Sequence, residues 1–319
     1  MRRAFAAGGA AALVAAMLVA PAPVRAEYPE KEIALLVGVG AGGAADAGAR
    51  MLGRELEKIL GKPVAVANRV GGGGTMALAL LAKEAPDGYS LAYAFSHHIT
   101  FGGQYKRRTP LFRVVDFDYP GSVTEPRQSL VSLAGRGWSS FDEMLKTLKA
   151  ENQPIRIAYS GGPGRLIAAA LQKDLKYPVR AIAVRDGGRS MQRLFGGQVE
   201  LAFSGGAHAP HTGAGETVVL ASVHERRDPD FPAAPTLKEL GVNASTTALQ
   251  LVVAPKGLPR AVAEALSDAI AQAVSRPEVA AQFRKNLNMR TMHLQGQALV
   301  DYLLAEERRF ARLIDDYDK

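Results

Sequence analysis

The sequence contains no cysteine. Disulfide bonds, thiolate metal sites, a cysteine nucleophile and an acylated N-terminal cysteine are therefore excluded. The chain also lacks a Gly-Lys-Ser/Thr sequence after either glycine-rich loop of its first part, a Gly-x-Ser-x-Gly elbow and a His-Glu-x-x-His motif. P-loop nucleotide binding, α/β-hydrolase chemistry and zinc-peptidase chemistry consequently have no support. A catalytic triad assembled from distant residues leaves no such motif, so an enzyme stays an alternative.

Aromatic residues and dense basic clusters are also sparse. The formal net charge is +8, but the basic residues are scattered, apart from short clusters such as residues 106–108. No basic helix is interleaved with aromatic side chains, so we expect no nucleic-acid partner. The modest positive surplus is compatible with attraction of an anionic small molecule.

The first 26 residues have the pattern of a secretory signal peptide. Two arginines open the chain, residues 4–20 are apolar, two prolines follow, and Val24-Arg25-Ala26 ends in a small residue. We therefore expect export to the periplasm and cleavage after Ala26. A retained membrane anchor is the alternative, but this stretch is short for about 30 Å of hydrocarbon, and no later run approaches membrane length.

Strand and helix patterns alternate after this leader. Apolar strand-like runs at residues 33–37, 64–67 and 91–95 are separated by helical periodicity, which predicts a parallel sheet. The same order restarts near Ile155, and helices end the chain, with a strand-like segment near Met289. The sequence therefore predicts an α/β protein with two lobes. Their bounds are residues 27–127 for the first part of lobe 1, 128–246 for lobe 2, and 247–319 for the return to lobe 1 and the C-terminal helices.

Glycine-rich loops follow the predicted strands in both halves of the chain. In open α/β sheets the ligand crevice lies outside the carboxyl ends of the parallel strands. Glycine lets the backbone approach a ligand closely, and the helices that follow point their amides into the same crevice. Two such sets of loops predict a clamp that closes on a small anion about a hinge.

The first glycine-rich loop, residues 38–43, contains a Gly-x-Gly-x-x-Gly pattern between a strand and a helix. This pattern is also typical of dinucleotide-binding enzymes. However, the second strand ends in Asn68, where such enzymes place an acidic residue for the ribose. We therefore expect neither a nucleotide nor any other cofactor.

Several short blocks occur in a fixed order along the chain. They are Tyr28-Pro29-Glu30-Lys31-Glu32-Ile33, Gly42-Gly43-Ala44-Ala45-Asp46, Asn68-Arg69 with residues 71–75, and residues 85–89, 196–200, 235–241 and 254–259. Together they resemble the Bug family, the solute receptors of tripartite tricarboxylate transporters. The resemblance implies a type II periplasmic-binding-protein fold, with two α/β lobes joined by a hinge and a ligand cleft between them. It also implies a carboxylate ligand and, as partners, integral-membrane permease subunits or a sensor-kinase ectodomain.

The resemblance also assigns ligand contacts. They are Gly42, Gly43, Ala44, Ala45 and Asp46 in the first loop, Gly72, Gly73, Gly74 and Thr75 in the second, and Ser160, Gly162, Gly164 and Arg165 in lobe 2. Ser96 and His97 join the candidate set because they follow the third strand at its crevice end. Arg185 and Ser204 join it because they stand at motif positions of the family.

The second lobe departs from the family pattern. Arg165 follows the loop in place of small hydroxyl residues, Val184-Arg185 replaces a Tyr-Lys or Tyr-Arg pair, and Ser204 replaces a frequent Asp. Residues 101–132 fit poorly. We expect the arginine and the Asp-to-Ser exchange to make the cleft more electropositive, which favours an anionic ligand. Each arginine is either a bidentate carboxylate contact or a solvated surface cation.

Other titratable residues are more ambiguous. For Asp46 we favour helix capping over ligand contact, because a carboxylate would repel an anion. Neighbours on an extended chain face opposite ways, so we expect only one of His97 and His98 to face the ligand. His208 and His211 would share a helix face, but without cysteine or a converging carboxylate we predict no metal site.

The leading hypothesis is a monomeric binding protein with no catalytic step, which closes over a small carboxylate. One alternative is an exported enzyme that uses the same cleft. The other is a degenerate signalling or scaffold receptor without solute binding, given Val184 and Ser204.

Overall fold

The computed structural model describes residues 28–103, 105 and 110–318. These residues form two β-sheets flanked by helices, so the predicted α/β class is confirmed. The predicted signal peptide, residues 1–26, lies outside the described residues. In the described part of the chain, no helix combines the length and the apolar composition that a membrane crossing requires.

The regular elements follow one another as alternating strands and helices. In chain order the strands are β1 (Ile33–Val37), β2 (Val64–Asn68), β3 (Ser90–Phe95), β4 (Phe117–Pro126), β5 (Ser129–Leu133), β6 (Ile155–Ser160), β7 (Val179–Val184), β8 (Leu201–Ser204), β9 (Thr217–Ser222), β10 (Gln250–Pro255) and β11 (Met289–Thr291). The α-helices are α1 (Ala44–Leu60), α2 (Thr75–Leu81), α3 (Phe141–Ala150), α4 (Gly161–Leu175), α5 (Gly187–Phe195), α6 (Ala209–Gly213), α7 (Arg260–Ser275), α8 (Pro277–Leu287) and α9 (Gly296–Tyr317). A short π-helix covers His98–Gly102.

The first sheet has the strand order β11-β4-β10-β3-β1-β2. β1 pairs in parallel with both β2 and β3, as the repeated strand–loop–helix units predict. β10 runs antiparallel to β3 and β4, and β11 runs antiparallel to β4. The predicted parallel pairing of the first three strands is therefore confirmed, and the antiparallel strands make the sheet a mixed one. All six residues of β10 are buried. Its sequence therefore reads as a continuous apolar run, which does not distinguish a parallel from an antiparallel strand.

The second sheet has the order β7-β6-β8-β5-β9. Its strands β7, β6 and β8 are parallel, and β5 is antiparallel to its neighbours β8 and β9. The two sheets therefore share one plan, in which three parallel strands end at an edge that is open to solvent or ligand. Loops at that edge position the candidate site.

The chain passes between the sheets through β4–β5, at residues 127–128, and through the long β9–β10 connection. Helix α9 makes a third link. Leu299 and Leu303 pack in a core of the first sheet, whereas Phe310 and Leu313 pack in a core of the second. We expected the C-terminal helices to pack back on the first lobe, but the second half of α9 packs on the second sheet. The lobe boundaries from the sequence stay a proposal, with α9 shared between the lobes.

The cores follow from the helical periodicity of the sequence. On α1, Leu52 and Leu56 fall on one face and are at most 1% exposed against the first sheet. On α4, Leu166, Ala170 and Leu171 are fully buried against the second sheet and α9. These helices are held by apolar packing, which fixes the direction in which their N-termini point.

Candidate functional site

A cavity of about 440 Å³ lies between the two sheets. Its wall consists of Gly38, Val39, Gly40, Gly43, Ala44, Ala45, Val70, Gly71, Gly72, Gly73, Gly74, Phe95, His97, His98, Gln128, Ser160, Gly161, Pro163, Val184, Arg185, Asp186, Gly187, Gly188, Phe203, Gly205 and Ala207. Apart from Gln128, these residues lie at or just beyond the carboxyl ends of β1, β2, β3, β6, β7 and β8. The cavity therefore sits where open α/β sheets bind ligands, with loops of both sheets on its wall.

The structure brings only part of the predicted set to this wall. The predicted residues on the wall are Gly43, Ala44, Ala45, Gly72, Gly73, Gly74, His97, Ser160 and Arg185. The predicted residues that are not part of it are Gly42, Asp46, Thr75, Ser96, Gly162, Gly164, Arg165 and Ser204. The second group instead holds the loops and helices in place, as their contacts show.

Asp46 holds the first loop from behind. It is 3% exposed, and its carboxylate accepts hydrogen bonds from the Gly42 amide at 2.9 Å and from the side chains of Arg50 and Asn68. Burial alone raises the pKa of the carboxyl, but these hydrogen bonds together outweigh it and lower the pKa below its ordinary value. The capping position of α1 is Gly43, without a side-chain cap, so Asp46 stabilises the loop rather than capping the helix.

Thr75 and Ser96 support the neighbouring loops. The Thr75 hydroxyl donates to the Gly72 carbonyl at 2.9 Å and so closes the second loop on itself. The Ser96 hydroxyl donates to the carboxylate of Glu306 on α9 at 2.9 Å and accepts from the Leu249 amide at 3.0 Å. Both hydroxyl groups donate their hydrogen within the protein, and neither residue lines the cavity.

Ser204 faces away from the cavity. Its Oγ lies 2.9 Å from Nδ1 of His208 and accepts from the amides of Gly206 and His208, and both side chains are fully buried. Ser204 therefore does not contact the cavity directly. The expected electropositive effect of a serine in place of the family's Asp stays a prediction.

Arg165 also lies outside the cavity. Its guanidinium forms an ion pair with Asp318 and lies over the ring of Tyr105, 5.6 Å from the centroid. These contacts tie the start of α4 to the C-terminal end of α9. Behind the same loop, Phe101 packs against Gly162, and Tyr159 and Phe203 surround Gly164. The expected loop at residues 160–165 is in fact the N-cap and first turn of α4, and of it Ser160, Gly161 and Pro163 line the cavity.

His97 and His98 both line the cavity, which corrects the expectation that only one of them would. That expectation assumed an extended chain, but the backbone turns into a helix at Ser96–His97 and continues as the π-helix. The two rings pack edge to face with centroids 4.7 Å apart. Burial lowers the pKa of His98 to about 4. Burial, together with charge repulsion from the neighbouring His98, lowers the pKa of His97 well below 6.5. Both imidazoles are therefore neutral at pH 7.

The wall carries one basic side chain, as far as the described residues go. Arg185 follows β7, is exposed, and takes part in no ion pair within the described part of the chain. The adjacent Asp186 is the N-cap of α5, where its carboxylate accepts from the Arg189 amide at 2.9 Å. Gly187 and Gly188 then place the first turn of α5 on the wall. The first residues of α1 and α4 lie there as well.

Sequence reasoning missed Gln128, which sits on the wall where the chain first crosses between the sheets. It is 4% exposed, and its Oε1 accepts a hydrogen bond from Thr246 on the return crossing. This bond leaves the amide N–H groups of Gln128 as donors at the cavity. No local pattern marks Gln128, because its role depends on a partner 118 residues away. His98 and the first turn of α5 were recognisable from the strand ends they follow.

The site therefore offers an anion three helix N-termini, one guanidinium and the side-chain amide of Gln128, with neutral imidazoles beside them and the carboxylate of Asp186 next to Arg185. Each helix N-terminus carries roughly half a positive charge and backbone N–H groups without a helical partner. At α5, the Asp186 carboxylate already accepts from one of these groups, the Arg189 amide. Within the described residues, no group of three or more metal-ligating side chains gathers in one place. The geometry suits capture of a small anion.

Comparison with known proteins identifies the family of the chain. A family model described as the tripartite tricarboxylate transporter family receptor matches residues 48–318. A UPF0065 protein in the gbd 5' region of Cupriavidus necator is 29% identical, over 98% of this chain and 97% of its own length. The fold is similar to that of the periplasmic binding protein BugD, with a TM-score of 0.79 at 24% identity over 91% of this chain and 98% of that one. It is also similar to that of an R. palustris protein with adipate, with a TM-score of 0.80 at 22% identity over 90% and 97% of the two chains. The family resemblance read from the sequence is thereby confirmed, and the chain belongs to the receptors of the tripartite tricarboxylate transporter family.

Proposed function

We propose that this protein is an extracytoplasmic receptor that captures a small carboxylate-bearing anion in the cavity between its two sheets. The observation that carries the proposal is the cavity wall itself, where Arg185 and the N-termini of α1, α4 and α5 meet. The structural neighbour with adipate supports a carboxylate as the bound group. Binding involves no bond making or breaking.

Closure about the crossings between the sheets accompanies binding in this proposal. The wall is shared between the sheets, so a ligand that contacts both favours the arrangement in which they approach. Gln128 lines the cavity and hydrogen-bonds to Thr246 where the two chain crossings meet, which supports a hinge at these crossings that responds to the ligand. The closed receptor then delivers its ligand to integral-membrane permease subunits of a tripartite transporter.

The location follows from the same family and from the N-terminal pattern. A positive start, an apolar core and a small-residue cleavage site are typical of export, and we place the mature protein in the periplasm as a monomer. An exported enzyme remains the alternative from a different class. Its distinguishing result would be turnover of the bound solute.

Arg185→Gln tests the carboxylate contact. A hydrogen bond to a charged group contributes about 1.5–3 kcal/mol, so the dissociation constant for adipate should rise at least tenfold. Arg180→Gln is the matched control, because Arg180 is an exposed arginine on the same β7 strand and is not on the cavity wall. Isothermal titration calorimetry of the mature chain measures both variants.

The wild-type protein should also gain thermal stability with the ligand. Saturation at a hundredfold excess over the dissociation constant adds about 2.7 kcal/mol to the free energy of unfolding. Carboxylate binding that is equally weakened by Arg180→Gln and Arg185→Gln would count against the proposed site. Absence of stabilisation by every small carboxylate tested would favour the degenerate receptor instead.

A further inference from the structure

Three aromatic rings pack together on the first-sheet side of the cavity. Phe95 stacks on His97 with ring centroids 5.2 Å apart and an interplanar angle of 22°. His98 meets both rings edge-on, at angles of 84° and 78°. All three side chains line the cavity, and we call them the aromatic shelf. Phe203, at the end of β8, adds a fourth ring from the second sheet.

The aromatic shelf is held rigidly. His98 is 6% exposed, and its ring lies directly against Gly74, which has a φ of 101° and leaves room that a side chain would fill. The π-helix behind the shelf is anchored by Thr100, whose hydroxyl donates to the Glu306 carboxylate at 2.8 Å. Because the side chains of the aromatic shelf are already ordered, they lose little additional conformational entropy when a ligand binds.

The imidazoles of the shelf have unused hydrogen-bonding atoms. Nδ1 of His97 and Nδ1 of His98 are buried and have no hydrogen-bond partner. Other buried polar atoms without a partner also occur in the described residues, among them Nε2 of His208 and Nε2 of Gln250. The two nitrogens therefore show only that the protein does not tie these imidazoles into a hydrogen-bond network through Nδ1, which leaves the rings available to a ligand.

We propose that the cavity takes a small aromatic monocarboxylate, whose ring packs on the aromatic shelf and whose carboxylate faces Arg185 and the first turn of α5. This inference rests on the proposed function and narrows its ligand class. Arg185 is the one arginine or lysine of the wall among the described residues, and the carboxylate of the adjacent Asp186 caps α5, so the wall has no second cation for a further carboxylate. The neutral imidazoles serve an aromatic ligand as ring partners and not as counter-ions.

The size and lining of the cavity fit such a ligand. A volume of about 440 Å³ lies within the range of small-molecule pockets, and Val39, Val184 and Phe203 supply apolar wall around the rings. Aromatic pairs gain roughly 0.5–1.5 kcal/mol beyond the area that they bury. This gain corresponds to about two- to tenfold tighter binding than for a saturated ring of the same shape.

Calorimetric titration of the wild-type protein with benzoate, cyclohexanecarboxylate and adipate tests the inference. Benzoate and cyclohexanecarboxylate carry the same carboxylate on rings of similar size, and the saturated ring is the more hydrophobic. The expected result is at least twofold tighter binding of benzoate than of cyclohexanecarboxylate. Phe95→Leu should bring that ratio towards one, whereas Phe195→Leu, at an exposed phenylalanine on α5, should leave it unchanged.

The outcomes separate this inference from the function on which it rests. If adipate binds and benzoate is no tighter than cyclohexanecarboxylate, the aromatic preference is overturned and the carboxylate receptor stands. If none of the three acids binds, both proposals fall. The ratio of the two dissociation constants in the wild-type protein is enough to decide between these results. The inference therefore remains testable even if the Phe95→Leu variant folds poorly.

Discussion

Replacement of Glu306 by glutamine should remove a specific part of the pH dependence of stability. Glu306 lies on α9, is 2% exposed, and accepts hydrogen bonds from Ser96 and Thr100. Burial raises the pKa of its carboxyl from 4.5 to about 7, against the opposing effects of these two hydrogen bonds and of Arg309. Tyr302 on the same helix also faces it, and the carboxylate contributes to raising the pKa of that phenol.

The sign of the effect follows from proton linkage. The folded protein holds the Glu306 proton more tightly than the unfolded chain does, so folding is favoured at low pH by this group. The contribution is complete below pH 4.5 and is lost as the pH rises through about 7. The difference between these two pKa values corresponds to about 3 kcal/mol.

Glu306→Gln keeps the shape of the side chain but carries no charge at any pH. The Thr100 hydroxyl lies 3.2 Å from the Ser96 carbonyl, so it can donate there and accept from the introduced amide. We therefore expect the free energy of unfolding of the variant to exceed that of the wild type by less than about 1 kcal/mol at pH 5 and by about 3 kcal/mol at pH 8. Urea titrations at pH 5, 6, 7 and 8 measure this difference.

Glu57→Gln is the control for the loss of one carboxylate, because Glu57 is exposed on α1. Its stability should follow the wild-type pH dependence. A Glu306→Gln variant whose free energy of unfolding runs parallel to that of the wild type from pH 5 to 8 would refute the reasoning. The reasoning would also be refuted if the free energy of unfolding of the variant exceeded that of the wild type by more at pH 5 than at pH 8.

Two further predictions concern packing. Phe310→Ala on α9 should lower the free energy of unfolding by about 3–5 kcal/mol in urea titration, because Phe310 is 1% exposed and packs on Phe101 of the π-helix. A loss below 1 kcal/mol would show that α9 is not held by the second core. Gly162→Ala should cost about 1–3 kcal/mol, since the added methyl group would overlap the ring of Phe101. Gly135→Ala, where a methyl group meets open space, should be nearly neutral, and equal losses at both glycines would contradict the packing argument.

Local patterns in the sequence predicted most of the elements that place the cavity. The strand at residues 33–37 has the predicted bounds, and the strand-like segment near Met289 is β11. Strand ends followed by glycine also located the loops that form the wall. These features depend on neighbours in sequence, which is why a single sequence reveals them.

Features that depend on distant partners could not be predicted in this way. Ser96 and Ser204 follow strands of the two sheets, yet their hydroxyls turn to Glu306 and His208, which the spacing does not reveal. Gln128 acquires its place from Thr246 in the same manner. His97 was assigned an extended backbone, and the helical turn that brings both histidines to the wall has no strong local signal.

A crystal structure of the mature protein with bound adipate would test the central claim most directly. The account predicts the acid in the cavity between the sheets, with carboxylate oxygens within hydrogen-bond distance of backbone amides or Arg185, and with contacts to loops of both sheets. An acid bound at another surface, or held by loops of one sheet with the opposite loops remaining apart, would contradict it.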